Sequence, residues 1–255
     1  MTRRLFSAIG ATAAAMTFLV GFSMGGVASA AEIKVLSGRG LKNVVSELGP
    51  QFESATGHKL VADFGNFSVL KRRIDAGETF DVVILSPAMI DNLIELEKVA
   101  ADTRVTLGRT GIGVAVRRGA PKPDISSVET FKRAMLDAKS VAYSKAGTSR
   151  KVLFAAFDRL GIAAEMKPKL KAYGKPEEAV VAGEAELGVT GIGPIVAATG
   201  AELVGGLPSE IQRYVVFTAG ANAASKEPEA ARALIRFLTA PAAAQVMKAK
   251  GLEPQ

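Results

Sequence analysis

The chain alternates short apolar runs with amphipathic stretches of helical period, and this alternation is the feature that most restricts its fold. The first unit is Ile33–Gly57, in which an apolar run is followed by a small Ser37–Gly40 turn and then by apolar residues at helical spacing. Further strands are predicted at 59–64, 80–85, 113–117, 141–144 and 187–190, with helices between them. Strands separated by helices predict an α/β fold built on mostly parallel sheets with helices on both faces.

The final third of the chain has a different pattern. Short strands at 202–205 and 214–217 precede two closing helices at 227–239 and 241–250, and no long linker separates them from the rest. We therefore predict two lobes with two chain crossings, in which lobe 1 comprises residues 31–112 and 207–255 and lobe 2 comprises residues 113–206. A hinge for closure of the lobes is expected near residues 111–114 and 205–208.

Residues 1–30 have the pattern of a signal peptide. Arg3 and Arg4 precede an apolar tract rich in small residues, and Ala28–Ala30 is a small-x-small cleavage pattern. We therefore expect the mature protein in the periplasm. The paired arginines also resemble a twin-arginine signal, so the general secretory route and the twin-arginine route both stay open.

The composition excludes several kinds of chemistry. The 255 residues include no cysteine and a single histidine, His58, which excludes thiolate chemistry and argues against a histidine-based triad. No nucleophile elbow, phosphate-binding loop or metal-ligand motif is present in the sequence. We predict that the protein is not an enzyme and needs no metal or cofactor. The formal charge of +7 comes from scattered basic residues, a pattern that does not favour nucleic-acid binding but attracts small anions.

Three strand-to-helix turns carry hydroxyl groups and glycines, at residues 37–40, 66–68 and 146–149. Helix N-termini favour negative charge, and a dehydrated anion needs many hydrogen-bond donors. If the turns converge, they form an anion site, although the same hydroxyls also suit helix caps and the arginines suit solvent. The candidate ligand-binding residues are Ser37, Arg39, Gly40, Asn66, Ser68, Ser86, Thr148, Ser149, Arg150 and Thr190.

Several phrases of the chain resemble the periplasmic substrate-binding proteins of ABC transporters, the molybdate-binding branch in particular. These phrases are Phe52…Ala55–Gly57, Gly65–Ser68, Leu70…Ile74–Gly77, Asp81–Ile84, Val180…Gly183–Gly188 and the ending Glu229…Pro241. The resemblance covers nearly the whole mature chain. It implies a two-lobed type II periplasmic binding protein, which receives a small anionic solute and delivers it to an ABC permease in the inner membrane. We expect a monomer.

The resemblance also implies a ligand set, from which this chain departs. The family holds molybdate or tungstate with two serines, backbone amides and a tyrosine. Ser68 matches the second serine, but Gly40 stands at the first, with Ser37 nearby as a substitute, and Thr190–Gly191 stands near the place of the tyrosine. The resemblance therefore predicts a small oxyanion such as molybdate. The alternative is a small organic carboxylate or amino acid clamped by Arg39 or Arg150, and the third possibility is a secreted enzyme on the same fold.

Overall fold

The structure is a computed structural model that describes residues 30–255, so residues 1–29 of the predicted signal peptide lie outside the described residues. Within this range, no helix is long and apolar enough to cross a membrane. The strands of the described range are β1 (Glu32–Gly38), β2 (Lys59–Gly65), β3 (Val82–Leu85), β4 (Val105–Thr110), β5 (Ile112–Arg117), β6 (Val141–Ser144), β7 (Leu170–Tyr173), β8 (Leu187–Gly191), β9 (Ala201–Gly206), β10 (Val215–Ala221) and β11 (Glu253–Pro254). Its α-helices are α1 (Lys42–Thr56), α2 (Phe67–Asp75), α3 (Pro87–Glu95), α4 (Val128–Asp137), α5 (Thr148–Leu160), α6 (Ala163–Met166), α7 (Pro176–Val181), α8 (Ile192–Ala197), α9 (Pro228–Leu238) and α10 (Pro241–Ala249).

The first sheet has six strands in the order β11-β4-β10-β3-β1-β2. Ile33 and Val35 of β1 belong to a core shared with α1, α9 and α10, whereas Leu36 belongs to a second core with α2 and α3. Successive side chains of a strand point to opposite faces, so a strand with helices on both faces is apolar throughout, as β3 is. This sheet and its helices are called lobe 1 below.

The second sheet has five strands in the order β7-β6-β8-β5-β9. Phe131 of α4 and Phe157 of α5 are fully buried against it, together with Val141 of β6 and Val189 of β8. A smaller cluster on the other face joins Ala142 of β6 to α7. This sheet and its helices are called lobe 2.

The structure confirms the predicted α/β class with helix-flanked sheets, but both sheets are mixed and not mostly parallel. Parallel pairing is confined to β2-β1-β3 in lobe 1 and β7-β6-β8 in lobe 2. The strands that lead between the lobes pair antiparallel, β4 with β10 and β5 with β9, because the chain enters lobe 2 along β4 and β5 and returns along β9 and β10. The pairs β10 with β3 and β5 with β8 are also antiparallel.

The chain passes between the sheets twice, at Gly111 between β4 and β5 and over residues 207–214 between β9 and β10. The buried side chain of Gln212 joins the two connections. Its Oε1 accepts a hydrogen bond from the amide of Ile112 at 2.9 Å, and its Nε2 donates to the carbonyl of Ile112 at 2.8 Å. A Cβ atom at Gly111 would lie 2.9 Å from this Nε2, so the glycine permits the close approach. The predicted lobe boundaries at these connections stay a prediction.

Hydroxyl residues at the starts of two helices provide no side-chain cap. Ser86 precedes α3 without a side-chain hydrogen bond to the helix, and Pro87 begins the helix with its preset backbone angle. Thr148 and Ser149 are the first residues of α5 and not its cap, a position that Gly147 takes with φ at 99°. Glycine alone adopts this conformation at little cost, so Gly147 and not a hydroxyl residue sets the start of α5.

Candidate functional site

The carboxyl ends of the parallel strands form one edge of each lobe, the place where open α/β sheets bind ligands. In lobe 1, Gly38 at the end of β1 lies opposite Gly65 at the end of β2, and β1 also pairs in register with β3. The edge therefore carries six of the predicted residues, namely Ser37, Arg39, Gly40, Asn66, Ser68 and Ser86. In lobe 2, Ser144 of β6 lies opposite Tyr173 of β7. That edge carries the other four, namely Thr148, Ser149, Arg150 and Thr190.

A cleft of about 630 Å³ lies between the two lobes. From lobe 1 it is lined by Arg39, Gly40 and Lys42, at the start of α1, and from lobe 2 by side chains on and around α7 and α8. The lobes come into close approach here, since a Cβ atom on Gly193 would lie 3.9 Å from the carbonyl oxygen of Gly40. The cleft therefore brings two of the ten predicted residues, Arg39 and Gly40, against the opposite lobe.

The glycine turn after β1 rests on two aromatic rings. A Cβ atom on Gly38 would lie 2.0 Å from Cε1 of Phe67, and one on Gly40 would lie 2.5 Å from Cζ of Phe217. The two rings contact each other edge to face, with centroids 5.7 Å apart. No side chain fits at either glycine unless a ring moves. A serine at position 40, which the family resemblance implies, would therefore require the ring of Phe217 to move.

Ser37 has no exposed surface, and its hydroxyl donates to the carbonyl of Gly38 at 3.3 Å. Asn66 and Ser68 are exposed at the start of α2, and Ser86 is partly buried before α3. These four residues do not line the 630 Å³ cleft. These residues thus lie at the carboxyl edge of the parallel strands of lobe 1 but not in this cleft, and their contact with a ligand stays a prediction.

Three hydroxyl groups of lobe 2 form a connected chain. Ser149 Oγ donates to Ser144 Oγ at 3.1 Å, and Ser144 Oγ lies 3.3 Å from Oγ1 of the buried Thr190. Ser144 was missed by the sequence analysis, because it ends a strand and does not belong to a glycine-bearing turn. The chain of hydroxyls fixes the orientation of Ser149 at the start of α5, while Thr148 beside it is exposed.

The two predicted arginines differ in their surroundings. Arg39 is exposed and lines the cleft. Arg150 is also exposed, but its guanidinium carbon lies 4.8 Å from the ring centroid of Phe154, one turn along the same helix. A cation over an aromatic face is a favourable pair in itself. Of the two arginines, Arg39 is therefore the one placed to meet a ligand between the lobes.

The turn after β7 contributes to the cleft, although the sequence analysis did not select it. Lys175, Glu177 and Glu178 all line the cleft from lobe 2. The signal was present, since residues 174–176 also form a strand-to-helix turn. This turn carries Lys175 and no hydroxyl group, so a search for hydroxyl-bearing turns does not find it.

Glu177 is the titratable group of the cleft with the most unusual environment. The residue is 8% exposed, and its Oε2 has no hydrogen-bond partner within residues 30–255. Burial raises the pKa of this carboxyl, the negative charge of Glu178 raises it further, and its own backbone amide and Lys175 oppose the change. Lys175 Nζ is itself paired with Oε1 of Glu178. Within the described part of the chain, no group of histidine and acidic side chains is arranged to hold a metal ion.

Two helix-flanked sheets with a cleft between them have the form of a two-lobed binding protein. The chain belongs to the bacterial extracellular solute-binding protein family, whose profile matches residues 33–253. An aconitate isomerase from a Pseudomonas species is 35% identical over 229 residues, which are 87% of each chain. The molybdate-binding protein ModA of Azotobacter vinelandii is 27% identical over 237 residues, covering 88% of this chain and 90% of that protein.

Comparison with solved structures gives the same fold. The substrate-binding domain of a putative molybdenum ABC transporter from Clostridium difficile superposes with a TM-score of 0.72 at 16% identity, covering 89% of this chain and all of that one. The predicted molybdate-binding-like, type II periplasmic binding protein fold is thereby confirmed. At this level of identity the likeness concerns the fold and not the ligand.

Proposed function

We propose that the protein is a periplasmic receptor that binds a small polycarboxylate between its lobes. The observation that carries this proposal is that cationic side chains of both lobes line one cleft, namely Arg39 and Lys42 from lobe 1 and Lys175, which is paired with Glu178, from lobe 2. Arginine and lysine are the usual partners of carboxylates, and several of them on two lobes suit a ligand with more than one carboxylate. The aconitate isomerase that is 35% identical acts, by its name, on an unsaturated tricarboxylate, which supports the same class of ligand.

The size of the cleft also favours an organic ligand. Its volume of about 630 Å³ lies within the roughly 300–1,000 Å³ of ordinary small-molecule sites. A tetrahedral oxyanion bound through hydroxyls and amides needs a much tighter shell. A serine at position 40 would clash with the present position of the Phe217 ring, and position 191 holds glycine and not tyrosine. The polycarboxylate proposal therefore takes precedence over the molybdate prediction.

A molybdate-like oxyanion is the second candidate, and two observations support it. One is the 27% identity to ModA over most of both chains. The other is the hydroxyl chain of Ser149, Ser144 and Thr190 at the carboxyl edge of lobe 2. In either case we propose that a permease in the inner membrane takes up the ligand, that the mature protein is a monomer and that residues 1–30 direct its export by the secretory or the twin-arginine route.

Titration calorimetry and thermal melting of the mature protein test the two candidates directly. We expect trans-aconitate or citrate at a hundred times its Kd to stabilise the protein by about 2.7 kcal/mol, which raises Tm by about 5–10 °C. Molybdate, tungstate and sulfate at the same concentrations are expected to leave Tm unchanged. A rise in Tm with molybdate that disappears in Ser68→Ala would instead favour the oxyanion candidate. If no tri- or dicarboxylate binds or raises Tm, the polycarboxylate proposal is wrong.

A further inference from the structure

The turn that leads into α7 brings two opposite charges to the cleft, and these charges pair with each other. Lys175 is the residue before α7, Glu178 lies in the first turn of the helix, and both line the cleft from lobe 2. Lys175 Nζ donates a hydrogen bond to Oε1 of Glu178. The other acid of this turn, Glu177, is buried. Glu178 is therefore the acid of the turn that is open to solvent in the cleft.

The pair lies at the surface and not in the interior of lobe 2. The side chains of Lys175 and Glu178 are 65% and 63% exposed. Exposed ion pairs contribute little to folding, because water screens the two charges and two long side chains lose conformational freedom. Such a pair separates at low cost, so Lys175 is able to exchange Glu178 for another carboxylate.

The pair also determines which cations an approaching anion meets. Arg39 and Lys42 line the cleft from lobe 1, and Lys175 is the cation that lobe 2 contributes to the same lining. While Glu178 neutralises Lys175, the net positive charge of the lining lies on lobe 1. A single carboxylate from solution competes poorly with an acid tethered three residues away. A second carboxylate of a ligand already held by lobe 1 has a much higher effective concentration at Lys175.

We propose that Glu178 is an internal competitor of the ligand, which occupies Lys175 in the empty cleft and returns to it as the ligand leaves. This inference rests on the proposed polycarboxylate ligand. Capture is then an exchange of one carboxylate for another at Lys175, in which no covalent bond changes. Glu178 thereby restricts Lys175 to ligands that carry a further carboxylate for lobe 1. It also limits their affinity, because each bound ligand has displaced a partner that remains close by.

Glu178→Gln tests this role, because glutamine keeps the size of the side chain and removes its charge. We expect the Kd of the mature protein for trans-aconitate, measured by calorimetry, to fall by about two- to fivefold, the range that corresponds to one exposed ion pair. NMR line shapes of trans-aconitate should show a similar decrease in the dissociation rate. The Tm of the variant without ligand should stay within about 2 °C of the natural value, since the side chain is exposed.

Competition for Lys175 is separated from simple repulsion of the ligand by a double variant. Lys175→Met removes the cation for which ligand and Glu178 compete, and it should raise the Kd for trans-aconitate. In this background the gain in affinity from Glu178→Gln should be below about 1.5-fold, because a charge exposed to water acts weakly at a distance. A gain as large as that in the natural background would show that Glu178 acts by repulsion alone and would overturn the exchange.

Glu165→Gln is the matched control, because Glu165 is an exposed carboxylate of α6 that does not line the cleft, and its Kd should equal that of the natural protein. An unchanged or higher Kd in Glu178→Gln overturns the inference and leaves the receptor intact. If the natural protein binds neither trans-aconitate nor citrate, the proposed function itself is wrong. Should Glu178→Gln not fold, Glu178→Ala decides in the same way, since tighter binding supports the competitor and unchanged binding contradicts it.

Discussion

Replacing Phe217 with alanine is expected to lower the free energy of unfolding by about 3–5 kcal/mol. The ring is 1% exposed, it belongs to the main core of lobe 1, and it also contacts Phe67 and supports the turn at Gly40. Its removal opens a cavity beneath the cleft and leaves the edge of the Phe67 ring without its partner. For a protein of this size the loss corresponds to a fall in Tm of about 6–20 °C, which thermal or denaturant unfolding measures.

Phe131→Ala provides the matched comparison, since Phe131 is equally buried but lies in the core of lobe 2. Both variants should lose similar stability, and only Phe217→Ala should also weaken ligand binding, because only that ring supports a turn of the cleft. Gly40→Ser adds a direct test of the packing. On its own, Gly40→Ser should lower the free energy of unfolding by about 1–3 kcal/mol. In the Phe217→Ala background the same substitution should lower it much less. Equal costs in both backgrounds would contradict the role given to Phe217.

Replacing Arg39 with methionine is expected to raise the Kd for trans-aconitate by about 10–100-fold. Methionine keeps much of the length of the side chain and removes its charge and its five donors. A hydrogen bond to a charged group contributes about 1.5–3 kcal/mol, and each 1.4 kcal/mol changes Kd tenfold. The affinity of the variant should also depend less on salt concentration, because one of the cations that face the ligand is gone.

Arg133→Met removes an equal charge from an exposed position on α4 and should leave Kd unchanged. Arg150→Met distinguishes the two arginines that the sequence analysis offered as a carboxylate clamp. Because the guanidinium of Arg150 lies over Phe154, we expect its loss to have at most a small effect on Kd. A large effect in Arg150→Met with none in Arg39→Met would place the ligand against α5 and not against α7.

Much of the fold was predictable because its units are local. The alternation of apolar strands with amphipathic helices follows from burial on both faces of each sheet, and β6 was predicted with its bounds at 141–144. Strand β4 was not predicted, since Gly108 and Arg109 interrupt its apolar pattern. Its pairing depends on β10, more than a hundred residues away. Mixed pairing in the sheets depends likewise on long-range contacts that no local pattern carries.

The candidate site was predictable only as a location. Strand-to-helix turns indicate one edge of each sheet, and two residues of these turns, Arg39 and Gly40, line the cleft. The identity of the contacting side chains depends on how two lobes face each other. Neither the burial of Ser37 nor the stacking of Arg150 on Phe154 follows from spacing along the chain. Glu177 could not be distinguished by sequence from any other glutamate near a helix start.

The hydrogen bonds of Gln212 join the two connections between the lobes, where the sequence predicts a hinge. The strand order of the second sheet sets the distance of each strand from these connections. Strand β8 lies directly beside β5, whereas β7 lies two strands further out, which is about 10 Å at ordinary strand spacing. A rotation of lobe 2 about these connections, which the sequence predicts, would therefore displace Lys175 and Glu177, after β7, farther than Thr190, at the end of β8. We therefore expect contacts between Lys175 and a ligand to form late in such a closure and to break early when the lobes open.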